Sequence, residues 1–166
     1  MLIRAEKKED IDDIRMINSA AFETGDEARM VDQIRESGIS YISLVAEMDR
    51  KLVGHILFTP VIPEDHTVNT AIAGLAPMAV LPQYQNQGFG SKLVREGLKR
   101  CEDAGYEAVV VLGHPEYYPR FGFMPAVKFG IWSEYEVPDD VFMALELKQG
   151  AMKKCAGLVR YHEIFR

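Results

Sequence analysis

The chain has 166 residues, 48% hydrophobic and 27% charged, with a net charge of -6. That length suits one domain with a substantial core, and the composition lies well outside the disordered class. The acidic balance argues against a general nucleic-acid binder, which needs clustered Lys and Arg, and no run reaches the roughly 18 to 20 apolar residues of a membrane helix.

The opening "MLIRAEKK" predicts a first strand carrying Leu2 and Ile3. Its continuation turns acidic with no apolar signal-type region, so no secretory leader is expected. Next, Ile11, Ile14, Ile17 and Ala21 recur at helical steps behind an acidic first turn. Thr24 and Glu27 have the spacing of a capping box, predicting a second helix with Met30, Val31 and Ile34 on its apolar side and Gly38 as its stop.

From Ser43 the period changes to two. Two strands meet at a hairpin on Asp49-Arg50, the second carrying Leu52, Gly54, Ile56 and Phe58 on one face and Val53, His55, Leu57 and Thr59 on the other. Pro63 to His66 is a turn, and "NTAIAGLAPMAVLP" is a further strand region. A helix follows with Leu93, Val94, Leu98, Cys101 and Ala104 along its apolar side, ending at Gly105. "EAVVVLG" is apolar on both faces and reads as a central strand. A short helical turn, "PEYYPRF", precedes "GFMPA"; a loop-like stretch around Pro138 then leads to a strand in "VFMALELK". The expectation is one α/β (α+β) domain over 1–166 with a mixed central sheet.

Between strand and helix lies "PQYQNQGFGSK", Pro82 to Lys92. A helix start leaves backbone N–H groups unpaired, and glycines let a phosphate approach them. Gln85 offers amide hydrogens, and Ser91 and Lys92 a hydroxyl and a positive charge. Two glycines alone fit equally a tight strand-to-helix turn. A dinucleotide fingerprint fails because Val94 stands near its third glycine position, and GxxxxGK[ST] is absent.

The run Gln85-Asn86-Gln87-Gly88-Phe89-Gly90 resembles the [Q/R]-x-x-G-x-[G/A] acetyl-CoA signature of the GNAT superfamily of N-acetyltransferases. The preceding "LAPMAVLPQY", the later "AVVVLGHPEYYPRFGFMP" and the order of elements resemble the family as well. The version "LGHPEYYPRFGF", with the closing "GLVRYHEIF", is similar to a bacterial predicted-acetyltransferase subgroup.

That resemblance implies an acyl-CoA N-acyltransferase fold in which parallel strands splay apart, flanked by helices, and acetyl-CoA as co-substrate without a metal. It implies that the backbone of Met78, Ala79 and Val80 pairs with the pantetheine arm, one of its N–H groups serving as oxyanion donor. It further implies that Gln85, Asn86, Gln87, Gly88, Phe89, Gly90, Ser91 and Lys92 form the pyrophosphate seat, with His114 near the cofactor. Tyr118, four residues before Gly122-Phe123, stands at the family's general-acid position, with Tyr117 as its packing neighbour.

The pattern departs from the family where histone-directed members carry a glutamate base, because Gly74 stands there. Glu47 and His55 are candidates on neighbouring strands, and the base stays unassigned. The expected function is transfer of acetyl from acetyl-CoA to a small-molecule or peptide amine in a ternary complex. The alternative is an acyl-CoA-binding regulatory module without turnover. The expected setting is cytoplasmic, with no nucleic-acid or membrane partner, and the sheet edges and "VFMALELK" offer a route to a homodimer.

Overall fold

The computed structural model describes residues 1–165. The chain begins with strand β1 (Leu2–Ala5), then helices α1 (Ile11–Phe22) and α2 (Asp26–Ser37). Strands β2 (Ile42–Met48), β3 (Lys51–Pro63) and β4 (Ile72–Val80) lead to helix α3 (Phe89–Asp103). The rest holds β5 (Ala108–Leu112), β6 (Met124–Pro125), β7 (Ile131–Ser133), β8 (Phe142–Glu146) and β9 (Gly157–Arg160).

Contacts divide the chain into two units: Met1–Phe58 with Ala76–Lys99, and Thr59–Leu75 with the chain from Arg100 onward. In the first, β1 pairs with β2 and β2 with β3, all antiparallel. Asp49 and Arg50 close the predicted hairpin with φ of 50° and 64°, the doubly left-handed turn that matches strand twist. β3 has apolar residues on both faces and is buried on both from Leu52 to Phe58, as a central strand requires. The buried residues of α1 and α2 are Ile14, Ile17, Asn18, Ala28, Val31 and Ile34, so the helical periodicity is realised. Each large aliphatic side chain among them contributes roughly 1.5–3 kcal/mol.

Two glycines set close approaches in this unit. A Cβ at Gly97 of α3 would overlap the ring of Phe58, so the helix backbone rests directly on β3. A Cβ at Gly54 would lie 2.9 Å from Leu93 Cδ1 and 3.3 Å from the Ala79 carbonyl oxygen.

In the second unit β4 pairs in parallel with β5, and β5 pairs antiparallel with β8, giving the expected mixed sheet with β5 inside it. β8 also pairs with β6 through Met143 and Ala144, so "VFMALELK" forms the expected strand with a partner on each side. A second ladder places β9 between β3 and β7.

Two local expectations are corrected. Thr24 does not form the full capping box: its hydroxyl donates to Glu27 and accepts weakly from the Asp26 amide, and Gly25 is the N-cap. Ala104 lies beyond the end of α3 and is exposed. The "PEYYPRF" segment forms the expected short helical turn, of 3-10 type over Tyr118–Phe121; Pro119 removes a donor and Gly122 ends it left-handed at φ 98°. Finally, β7 and β9 lie in stretches without a strand pattern, since strands of three and four residues offer too few positions for one.

Candidate active site

The glycine turn belongs to the first unit. After β4 the Leu81 amide donates to the Val53 carbonyl at 2.9 Å, fastening the strand end to β3. Pro82–Tyr84 then make one 3-10 turn. Asn86 and Gly88 take φ of 60° and 90°, which swing the chain into α3. At the start of α3 the Lys92 amide donates to the Gly88 carbonyl at 3.1 Å. The amides of Phe89, Gly90 and Ser91 therefore lie in the first turn, where a helix supplies no acceptor. A Cβ at Gly88 would meet nothing within 4 Å, so the space beside Gly88 itself is open.

The side chains divide the labour differently from the expectation. Gln85 Nε2 donates to the Val80 carbonyl at 3.0 Å, so this amide braces the end of β4 instead of reaching outward. Gln87 Nε2 likewise donates to the Gln83 carbonyl at 3.1 Å. Phe89 is buried, its ring edge-on to Tyr84 at 5.8 Å between centroids, so only its backbone can meet a ligand. Lys92 is exposed and Ser91 half-buried at the helix start. Along β4, Met78 is half-buried, whereas Ala79 and Val80 are buried.

The second unit holds the aromatic segment. Tyr118 is buried and lies over Gly113, where a Cβ would overlap its ring. Its ring meets Tyr117, Phe121 and Phe123 at centroid distances of 5.1, 6.4 and 5.7 Å. Burial, and secondarily Tyr117, pushes the Tyr118 phenol above its ordinary range, so it stays protonated at neutral pH. Tyr117 is the outer partner, with the Arg120 guanidinium 4.5 Å over its ring. The exposed His114 accepts from the Tyr117 amide at 3.1 Å through its carbonyl and starts the turn that presents Tyr118.

The two base candidates fare poorly. Glu47 accepts from Arg4 Nε at 2.9 Å, within an ion-pair cluster that includes Asp10. His55 is fully buried. Asn18 Nδ2 lies 3.0 Å from the Ile14 carbonyl and 3.1 Å from His55 Nδ1, and Ser43 Oγ lies 2.9 Å from His55 Nε2. Ser43 in turn donates to Glu6 at 2.7 Å. With its proton spent there, Ser43 accepts from an Nε2–H tautomer, and His55 is a neutral link in a core network.

Sequence reasoning missed Tyr161. Its ring covers Gly74: a Cβ there would lie 2.5 Å from Tyr161 Cε1 and 2.6 Å from Val61 Cγ1. The space that a glutamate would need is filled, which accounts for glycine at that position. The available signal was "GLVRYHEIF", recognised as a closing segment without a task for its tyrosine. Among the described residues no group of His, Cys, Asp and Glu is arranged to hold a metal, and no helix is long and apolar enough to cross a membrane.

The profile of the acetyltransferase (GNAT) domain matches residues 2–126. The uncharacterized N-acetyltransferase YhbS of Escherichia coli K12 is 36% identical over 99% of this chain and 98% of its own length. The uncharacterized N-acetyltransferase YjhQ of the same strain is 39% identical over 80% of this chain and 75% of its own. The crystal structure of E. coli YhbS in complex with CoA superposes with a TM-score of 0.92, covering 99% of this chain and 91% of that one. A GNAT family acetyltransferase from Brucella melitensis, in complex with acetyl-CoA, gives 0.81 at 34% identity, covering 99% and 97%.

Proposed function

The chain belongs to the GNAT acetyltransferase family, and on that footing we propose that it transfers acetyl from acetyl-CoA to a primary amine of a small molecule or peptide by direct attack. The observation that carries the donor half is the turn before α3: three first-turn amides behind an open Gly88. Such a helix start suits a pyrophosphate, as amides and helix dipole both favour negative charge. The relatives crystallised with CoA and acetyl-CoA support the same ligand.

In this reading the amides of Phe89, Gly90 and Ser91, with Lys92, hold the pyrophosphate. Gln85 acts indirectly, by pinning Val80. The backbone of Met78 to Val80 receives the pantetheine arm and supplies an oxyanion donor. Bound acetyl-CoA contributes the activated thioester. Tyr118, kept neutral by burial, holds a proton suited to a departing thiolate. His114 gives the turn its backbone acceptor and the ligand a neighbouring ring. The buried, unbridged Cys101 and Cys155 support a reducing, cytoplasmic setting.

A thiol-release screen with acetyl-CoA against polyamines, amino acids, aminoglycosides and peptide N-termini tests the proposal. Acyl transfer to at least one amine class is expected. Absence of amine-dependent CoA release across the whole panel would remove the transferase reading.

A further inference from the structure

Within the second unit, the parallel pairing of β4 and β5 runs Ile72↔Ala108, Ala73↔Val109, Gly74↔Val110 and Leu75↔Val111, and no later pair is registered. β5 itself continues, with Leu112 paired to Phe142 of β8. The end of the parallel ladder is therefore a defined place, one residue past Gly74 and Val110. Tyr161 stands at that place. Its ring occupies the room above Gly74, and its hydroxyl donates to the Val110 carbonyl at 3.5 Å, a long bond. One side chain thus touches both strands at the penultimate registered pair.

Tyr161 is held there from three sides. Its backbone follows directly on β9, whose Val159 and Arg160 pair with Pro63 and Ile62 of β3. Phe165 meets its ring edge-on at 5.6 Å, and Tyr135 lies at 6.5 Å. Tyr135 in turn donates from its hydroxyl to the Phe165 carbonyl at 2.9 Å, closing the aromatic group on itself. At the end of β9, Arg160 pairs with Glu134 and Glu64, both at 3.2 Å. A bulky phenol brought in by a distant strand, against a glycine that cannot carry a side chain, is a built contact between β9 and the β4–β5 pair.

We infer that Tyr161 is a positioning residue for acetyl transfer: it braces the end of the β4–β5 ladder and thereby sets where the two parallel strands part. The functional half of this inference rests on the acetyl-transfer reading. The structural half does not. Tyr161 takes the room of the glutamate that histone-directed members carry, but it supplies shape and a hydrogen bond, not a base.

The test compares wild type with Tyr161→Phe, which keeps the ring and removes the hydroxyl, and with Gly74→Ala, which pushes the ring away. Amide hydrogen exchange is followed over residues 71–75 and 108–113 alongside thermal midpoints and steady-state kinetics. For Tyr161→Phe the brace predicts exchange at the ladder end faster by roughly tenfold, with exchange elsewhere in the unit unchanged. It also predicts kcat lower by about tenfold, with KM for acetyl-CoA preserved, which general destabilisation would not produce. Gly74→Ala is expected to quicken the same amides, because its methyl meets both the Tyr161 ring and Val61 Cγ1. Unchanged exchange at the ladder end in both single variants overturns the brace, and so does an exchange increase spread evenly over the unit. Unchanged kcat in Tyr161→Phe overturns the positioning role. A wild type that acetylates no amine removes the acetyl-transfer reading instead, and the exchange comparison still decides the brace.

Discussion

His55 Nε2 and Ser43 Oγ lie 2.9 Å apart in the core, with the imidazole donating and the hydroxyl passing its own proton on to Glu6. The chain of bonds runs from Arg35 through Glu6, Ser43 and His55 to Asn18. Burial lowers His55 to about 4, an effect that Glu6 opposes and Arg35 reinforces. Burial pushes the Glu6 carboxyl up, but bonds from Arg35 and Ser43 outweigh it and leave Glu6 below its usual value.

A pH dependence of stability follows. The folded His55 titrates at about 4 against 6.5 when unfolded, so between those values the unfolded chain binds more protons. Its contribution to stability is fully present above 6.5 and is lost as pH falls toward 4, by about 3 kcal/mol over the window. Denaturant titrations of wild type and His55→Gln across pH 4 to 7 would show it. The variant is expected to start less stable and to lose less on acidification, whereas parallel pH curves would contradict the account.

Gly97 should tolerate no side chain. Phe58 is buried at 1% exposure and cannot swing out of the way of a Cβ. Gly97→Ala is expected to cost about 1–3 kcal/mol, an overpacking effect that outweighs the better helix propensity of alanine. Urea unfolding decides the sign.

Gly88→Ala separates ligand from fold. Its φ of 90° costs an alanine roughly 1–2 kcal/mol, but no neighbour lies within 4 Å of the new methyl. A weakening of acetyl-CoA binding by about tenfold, near 1.4 kcal/mol, is expected in the folded variant because the methyl is added to the open glycine that leads into the first-turn amides. Equal affinity for wild type and variant would move the ligand elsewhere.

Tyr118→Phe should leave acetyl-CoA affinity intact and lower kcat by roughly 10²-fold, the lower range for loss of a general acid. Stability should change little, because the ring still fills its place over Gly113. Pre-steady-state thiol release with a competent amine measures the loss. Full turnover would assign proton donation to another group.

Much of the fold was legible because periodicity survives wherever an element is long enough. The apolar steps from Ile11 to Ile17 and the two-faced β3 appear in the structure as read. The doubly left-handed Asp49-Arg50 turn was legible from the change of period on either side of it. The glycine turn was legible as a motif, but the partner of Gln85 was not: whether a side-chain amide points out or back to Val80 depends on three-dimensional geometry. Tyr161 was illegible for a related reason. Its task depends on Gly74, 87 positions earlier in the chain, and no local pattern links a glycine in one strand to a ring arriving from another. Short strands such as β7 gain their identity from β9 alone.

The central claim, that the turn at the start of α3 seats the pyrophosphate end of acetyl-CoA, is tested most directly by calorimetric titration of the purified protein with acetyl-CoA, with CoA and with pantetheine, which lacks the pyrophosphate. Saturable binding of acetyl-CoA and of CoA, weakened in Gly88→Ala and much weaker for pantetheine alone, is the predicted result. No saturable heat with acetyl-CoA at millimolar concentration, or affinity indifferent to Gly88, would contradict it.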